Sequence, residues 1–208
     1  MGYREIINGE PKYFEEPDFS QTYTAQEYYE WPYDGMFELI NGRVIDKNQA
    51  YGPNHQTVSG NLASAIFPLL NRNIEVFLGP LDVYLIEPHQ NWRQATTVVQ
   101  PDILVPIDAH KIKHHGCVGS PNFIVEVVTI ASSIIDYREK FEVYQQFGID
   151  EYWIADIHHK CIIRNILKEG KYEIQRAAFA EEIISPQQFP DLRIKVEEVF
   201  EGIREFDE

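Results

Sequence analysis

The sequence predicts an α/β or α+β fold, with a mixed central sheet flanked by helices. A helix-period segment separates two β-rich runs, 122–129 and 151–157, as in a crossover between parallel strands. Elsewhere apolar runs follow one another through short turns, which suits antiparallel pairs. The chain has 208 residues, 44% of them hydrophobic and 25% charged. It can therefore bury one sizeable core and is not disordered as a whole.

Residues 1–22 read as an irregular acidic extension and 23–208 as a single domain, since no Pro/Gly/Ser linker divides them. Thr24-Ala25-Gln26-Glu27 has the form of a capping box opening a short helix over 24–31. Two apolar runs joined by Asn41-Gly42 predict a hairpin with a type I′ turn. After Pro53, Asn54 can cap a helix to about residue 70, on which His55, Val58, Leu62, Ala65, Ile66 and Leu69 share one face. Strands are expected over 75–86, with a break at Gly79-Pro80, then over 97–105 and 122–129. A helix over 134–147 follows, opened by a capping box from Ser133 to Asp136 and ended by Gly148. Strands over 151–157, 160–167 and 171–177 close the pattern.

The net charge is −15 and unevenly spread. Residues 1–40 hold nine acids against two bases and 181–208 nine against three, so 41–180 carry only −2. The total disfavours a nucleic-acid partner, because phosphate contacts reward Lys and Arg. The near-neutral middle leaves room for one if bound cations offset clustered carboxylates.

Charge inside apolar runs marks the candidate site. Glu126 interrupts Phe123-Ile124-Val125 and Val127-Val128, a run that reads as a strand buried on both faces. An ionised carboxylate there needs a metal, a cation or a proton. Asp102 follows Pro101 in a similar strand, and Asp82 repeats the theme within 81–86. Three such carboxylates on successive strands can converge on one cation. Lys140 falls inside the apolar arc formed by 137, 141, 143, 144 and 147, where it either snorkels or meets a carboxylate. His55 lies on the inward face of its helix, where a hydrogen-bonded core residue is the commoner role. Glu38, between Phe37 and Leu39, can face core or solvent. His114, His115 and Cys117, with His158, His159 and Cys161, lack the paired-ligand spacing of a zinc site. Lys111, Lys113, His114 and His115 form a basic loop, either solvated or touching phosphate.

Several segments together carry a resemblance: 38–44 (ELINGRV), Asn54-His55, 80–85 (PLDVYL), 99–105 (VQPDILV), 120–129 (SPNFIVEVVT), 136–156 and 185–200. In this order they resemble the Uma-two family of restriction-endonuclease-like proteins, within the PD-(D/E)XK nuclease superfamily, over about residues 23–200. The resemblance implies a restriction-endonuclease-like core with a divalent-metal site at its centre. Asp102 matches the motif's PD aspartate and Glu126 its (D/E). The motif's Lys would fall at position 128, which is Val128 here. Lys140, on the following helix, matches the place from which such members supply it. Glu38, His55 and Asp82 match recurrent positions of less defined role.

The expected function is an Mg²⁺- or Mn²⁺-dependent endonuclease, with DNA as the substrate. Asp102, Glu126 and Asp82 are the expected metal ligands, and Asp102, Glu126, Lys140, Glu38 and His55 the expected catalytic set. A catalytically silent binding module on the same fold is the alternative, and a hydrolase of small phosphate esters a second one. No leader, acylation motif or apolar span of membrane length is visible, and Cys117 and Cys161 make no disulfide framework. A soluble cytoplasmic protein is therefore expected, and its apolar, aromatic edges are compatible with a homodimer.

Overall fold

A computed structural model describes residues 3–7, 10–14, 17–31, 36–47 and 51–205, the first two segments as backbone strands only. Part of the expected irregular extension is regular. Strands β1 (Tyr3–Ile7) and β2 (Glu10–Phe14) pair antiparallel. The sequence signal was Asn8-Gly9, a dipeptide favoured in two-residue hairpins, and the acidic composition masked it. Whether 1–22 adds to the core turns mainly on side chains 1–16, which lie outside the described residues.

Helix α1 (Ala25–Tyr29) opens with the predicted capping box, Thr24 accepting from the Glu27 amide and Glu27 accepting from the Thr24 amide. Strands β3 (Phe37–Ile40) and β4 (Arg43–Asp46) form the predicted hairpin. Its turn has positive φ at both central residues, Asn41 at 53° and Gly42 at 80°, the type I′ requirement. Helix α2 (Pro53–Ile66) starts two residues earlier than expected, with Gly52 rather than Asn54 as cap. Asn54 does not cap it but bonds the backbone N–H and C=O of Arg204. Beyond Ile66 the chain tightens into a 3₁₀ segment, Phe67–Arg72, because Pro68 has no N–H to continue the α-helical ladder.

The expected strands over 75–86 and 97–105 are each divided. They become β5 (Phe77–Leu78) and β6 (Val83–Leu85), then β7 (Thr97–Val99) and β8 (Ile103–Val105). Next come β9 (Ile112–Lys113), β10 (Gly116–Val118) and β11 (Phe123–Val128). A π-helical turn, Ile135–Lys140, runs into α3 (Phe141–Gln146), and β12 (Glu151–Asp156), β13 (Cys161–Lys168) and β14 (Lys171–Ile174) follow.

The fold is mixed α/β as expected, but the strands divide between two large sheets. Among the described residues one runs β4-β3-β7-β6-β10-β9 and the other β14-β13-β12-β11-β8-β5. The breaks at Gly79-Pro80 and Pro101 explain this. A proline cannot donate to a ladder, so at each break the chain leaves one sheet and enters the other. The predicted parallel pair is β11 with β12, joined through the π turn and α3. Side chains alternate along β11. Phe123, Val125 and Val127 pack with Val58, Leu62 and Ile66 of α2. Ile124 and Val128 pack with Val143 and Tyr144 of α3 and with Val83, Leu85 and Val99 of the other sheet. By parity Glu126 belongs to this second face, between the sheets and under α3.

Candidate active site

Asp102 and Glu126 are placed by one strand pair. In the antiparallel register of β8 with β11, Ile103 faces Val125. Asp102 immediately precedes β8, and it and Glu126 line the same cavity. The Asp102 carboxylate accepts the Val127 amide at 2.7 Å and meets His55 Nε2 at 3.2 Å. His55 is buried in the first turn of α2, so its place on the helix's apolar face turns the ring inward.

Lys140 is almost fully buried, at 1% exposure. Its Nζ lies 2.7 Å from Glu126 Oε1, 2.9 Å from Glu38 Oε1 and 3.6 Å from Asp136 Oδ1. Glu126 Oε1 also accepts the Tyr144 hydroxyl at 2.7 Å. Val128 is buried on the same face as Glu126, so the ammonium reaches Glu126 from the helix that covers that face. Glu38 accepts from the Gln100 amide at 2.6 Å and from Lys47 Nζ at 3.1 Å, while its Oε2 is buried without a partner. Lys47 also donates to the Gln100 carbonyl. These side chains surround a cavity of about 280 Å³, and Tyr51 and Ser132 share its wall.

Asp82 is elsewhere. It was expected to join Asp102 and Glu126 on one cation, but it lines a different cavity and bonds Tyr28, Tyr84 and Gln100. It immediately precedes β6, in the sheet that holds Glu38, so the apolar pattern it shares with Asp102 does not make the two neighbours. The expected three-carboxylate metal site is therefore not assembled. Among the described residues no group of three or more His, Cys, Asp and Glu side chains is arranged to hold a metal.

The structure adds residues that the sequence reading missed or misassigned. Asp136 is no helix cap, since the π turn has no side-chain cap, and its buried carboxylate lines the cavity. Its spacing of four from Lys140 was the available signal, because such residues share a helix face. Tyr144, four further on, completes that line. Lys47, just past the end of a hairpin strand, carries no periodic signal.

The electrostatics divide the carboxylates into two pairs. Burial alone would raise Glu38, but Lys140, Lys47 and the Gln100 amide outweigh it and hold Glu38 below the usual range. Burial would likewise raise Asp102, and the bond with His55, with Lys47 and the Val127 amide, holds it down. Burial pushes Glu126 up to about 8 although Lys140 opposes it. Asp136 is raised for the same reason. Burial would lower Lys140, but Glu126, Glu38 and Asp136 hold its ammonium well above the ordinary lysine range. The buried Lys140 and half-buried Lys47 thus face four buried carboxylates, and Glu126 and Asp136 are the two whose charged forms burial most disfavours. Asp102 and Glu126, which line the same cavity, are the pair that could hold a further positive charge. Mg²⁺ commonly takes only one or two protein carboxylates and keeps several waters, so Asp102 and Glu126 have the donor chemistry for a hard divalent ion.

The family model described as "Uma2: Putative restriction endonuclease" matches residues 25–197. The chain belongs to the Uma2 family. A solved structure described as a putative nuclease belonging to DUF820, from Anabaena variabilis ATCC 29413, superposes on this Uma2 protein with a TM-score of 0.66. The two share 16% identity, and the match covers 85% of this chain and 97% of the other. That likeness concerns the fold. No curated protein matches the sequence. Family and fold together indicate a restriction-endonuclease-like nuclease. No helix among the described residues is long and apolar enough to cross a membrane.

Proposed function

We propose that this Uma2 protein is a metal-dependent endonuclease that hydrolyses phosphodiester bonds in DNA, with the cavity around Glu126 as its active site. The observation that carries the reading is the excess of buried acid there, four carboxylates against two lysines, beside a lysine ammonium 2.7 Å from Glu126. Asp102 and Glu126 would hold Mg²⁺ or Mn²⁺, and Glu38 stands next to them. Such an ion, when bound, acidifies water and neutralises charge on a phosphate. The protein's own groups set the geometry. His55 and the Val127 amide orient Asp102. The Tyr144 hydroxyl and Lys140 orient Glu126. The Lys140 ammonium, fixed among acids and screened from water, can orient an attacking water or offset charge on the pentavalent phosphorus. Lys47 offers a second fixed cation on the cavity wall.

Plasmid nicking tests the reading. The wild-type protein is expected to nick supercoiled DNA with Mg²⁺ or Mn²⁺ and to stop in EDTA, and Asp102→Ala is expected to be inactive. The acidic net charge of −15 favours the alternative of a catalytically silent binding module. That alternative predicts no nicking by either protein with any divalent ion.

A further inference from the structure

The aromatic cavity around Asp82 takes no part in the chemistry described above. It measures about 460 Å³, and Tyr28, Tyr29 and Trp31 stand on its wall beside Asp82, Gln100 and His115. Two of its polar atoms have no partner. Gln100 is 7% exposed, and its Oε1 is buried without a hydrogen bond, as is His115 Nε2. The orientation of the Gln100 amide is settled by its neighbours. Its NH₂ donates to Asp82 Oδ1 at 2.9 Å and to the Tyr28 hydroxyl at 3.1 Å, and a flipped amide would set its oxygen against the Asp82 carboxylate. Oε1 is therefore an acceptor awaiting an N–H donor, and leaving such a group unmet in a protein interior is costly.

His115 is held in place by a flat stack on Trp92, with ring centroids 4.2 Å apart and planes at 29°. It also meets Tyr29 and Tyr84 edge-on. The next residue, Gly116, has φ of 141°, and a Cβ there would collide with the Asp82 carbonyl. Only glycine lets β10 approach β6 this closely, and the approach brings His115 to the cavity. The basic loop at 111–115 thus ends on this wall, with Lys113 and His114 exposed beside it.

Gln100 lines the aromatic cavity and is bonded to residues of the other. Its main-chain N–H and C=O bind Glu38 and Lys47 on one side, and its side chain binds Asp82 on the other. Whatever occupies the aromatic cavity sits one residue away from the Glu38–Lys140 cluster.

We propose that the Tyr28–Trp31–Gln100–His115 cavity is a nucleobase-binding subsite that seats an unstacked, amino-bearing base of the substrate strand next to the cleavage centre. This rests on the nuclease reading for its substrate and deepens it. A nucleobase suits the cavity in two ways. Its faces stack on aromatic rings, and its exocyclic amine donates to Gln100 Oε1. The Asp82 carboxylate behind Gln100 favours an amine edge, as in adenine or cytosine, and disfavours the carbonyl-flanked edge of thymine. The exposed Lys113 is placed to meet the strand's phosphates.

Titration of the full chain with mononucleotides, followed by tryptophan fluorescence and calorimetry, tests the subsite separately from cleavage. The probes are dAMP, its N6,N6-dimethyl derivative, dTMP and deoxyribose 5-phosphate. Saturable binding of dAMP is expected, with each of the other three at least about tenfold weaker, the scale of one stacked base or one donor. Tyr29 is 51% exposed, so Tyr29→Ala is expected to fold and to weaken dAMP about tenfold. Gln100→Met is expected to abolish the preference for dAMP over its dimethyl derivative. Absence of saturable dAMP binding overturns the subsite. So does equal binding of deoxyribose 5-phosphate or of the dimethyl derivative, and so does wild-type affinity in Tyr29→Ala. Selective dAMP binding by a protein that fails to nick plasmid supports the subsite and refutes the nuclease reading. Nicking without dAMP binding does the reverse.

Discussion

Replacing Lys140 by Met keeps the side chain's stem and removes its charge, so it isolates what the ammonium does. In the wild type Nζ sits 2.7 Å from Glu126 Oε1 and 2.9 Å from Glu38 Oε1, at 1% exposure. With an effective dielectric constant of about 20, one such pair attracts by about 6 kcal/mol. Met no longer has to desolvate an ammonium, which returns part of this, and losing one partner of a buried pair costs about 3–5 kcal/mol net. For a chain of this length that lowers Tm by about 6–20 °C. The cost comes from stranded carboxylates, so it should be larger at pH 8 than at pH 5, where acid favours their neutral forms. Removing one stranded charge as well, in Lys140→Met/Glu38→Gln, should recover at least about 1 kcal/mol. Thermal and urea unfolding of the three proteins at both pH values measures all of this. A single variant melting within about 2 °C of wild type at pH 8, less than one kcal/mol, would refute the reasoning. So would a double variant no more stable than the single.

Other consequences are open to simple measurement. Because burial raises Glu126, its stabilising contribution is present below the ordinary carboxylate range and is lost as pH rises through about 8. In EDTA, wild type should therefore lose stability relative to Glu126→Gln between pH 5 and 8.5, and a gain over that interval would contradict the burial argument. Gly116→Ala should destabilise by about 1–3 kcal/mol, since φ is 141° and a Cβ meets the Asp82 carbonyl; an unchanged melting curve would show that β10 can shift. Burial pushes the Cys117 thiol up to about 11 and also raises Cys161. A thiol reagent at pH 8 should label neither quickly in the native protein and both at once in denaturant, whereas a native burst would place a thiol at the surface.

The parts of the site that the sequence disclosed are those where local pattern and tertiary place agree. Glu126 and Asp102 stand out because a charge in an apolar β run is anomalous wherever the strand lies. Lys140 stands out because it breaks a helical arc. His55 followed from the period of α2, whose inward face meets the sheet. Asp82 shows where this stops. Its surroundings in sequence resemble those of Asp102, but the break at Gly79-Pro80 sends β6 into the other sheet, and nothing local states which sheet a three-residue strand joins. The same breaks explain why one expected sheet is two. Asp136 was misread because a residue three after Ser133 fits a capping box, whereas the π turn rotates it onto the face of Lys140. Lys47 becomes a site residue only through the pairing of β3 with β4, which carries the end of the hairpin over Gln100.

The central claim is that the buried acid–lysine cluster hydrolyses phosphodiester bonds. Single-turnover cleavage of end-labelled duplex and single-stranded DNA by excess protein in Mn²⁺ tests it most directly, with wild type, Glu126→Gln and Lys140→Met compared side by side. The account predicts cleavage by wild type that EDTA abolishes, and a fall of at least about a hundredfold in each variant, the scale of one catalytic group. Cleavage that survives unchanged in both variants, or no cleavage by any of the three, would contradict it.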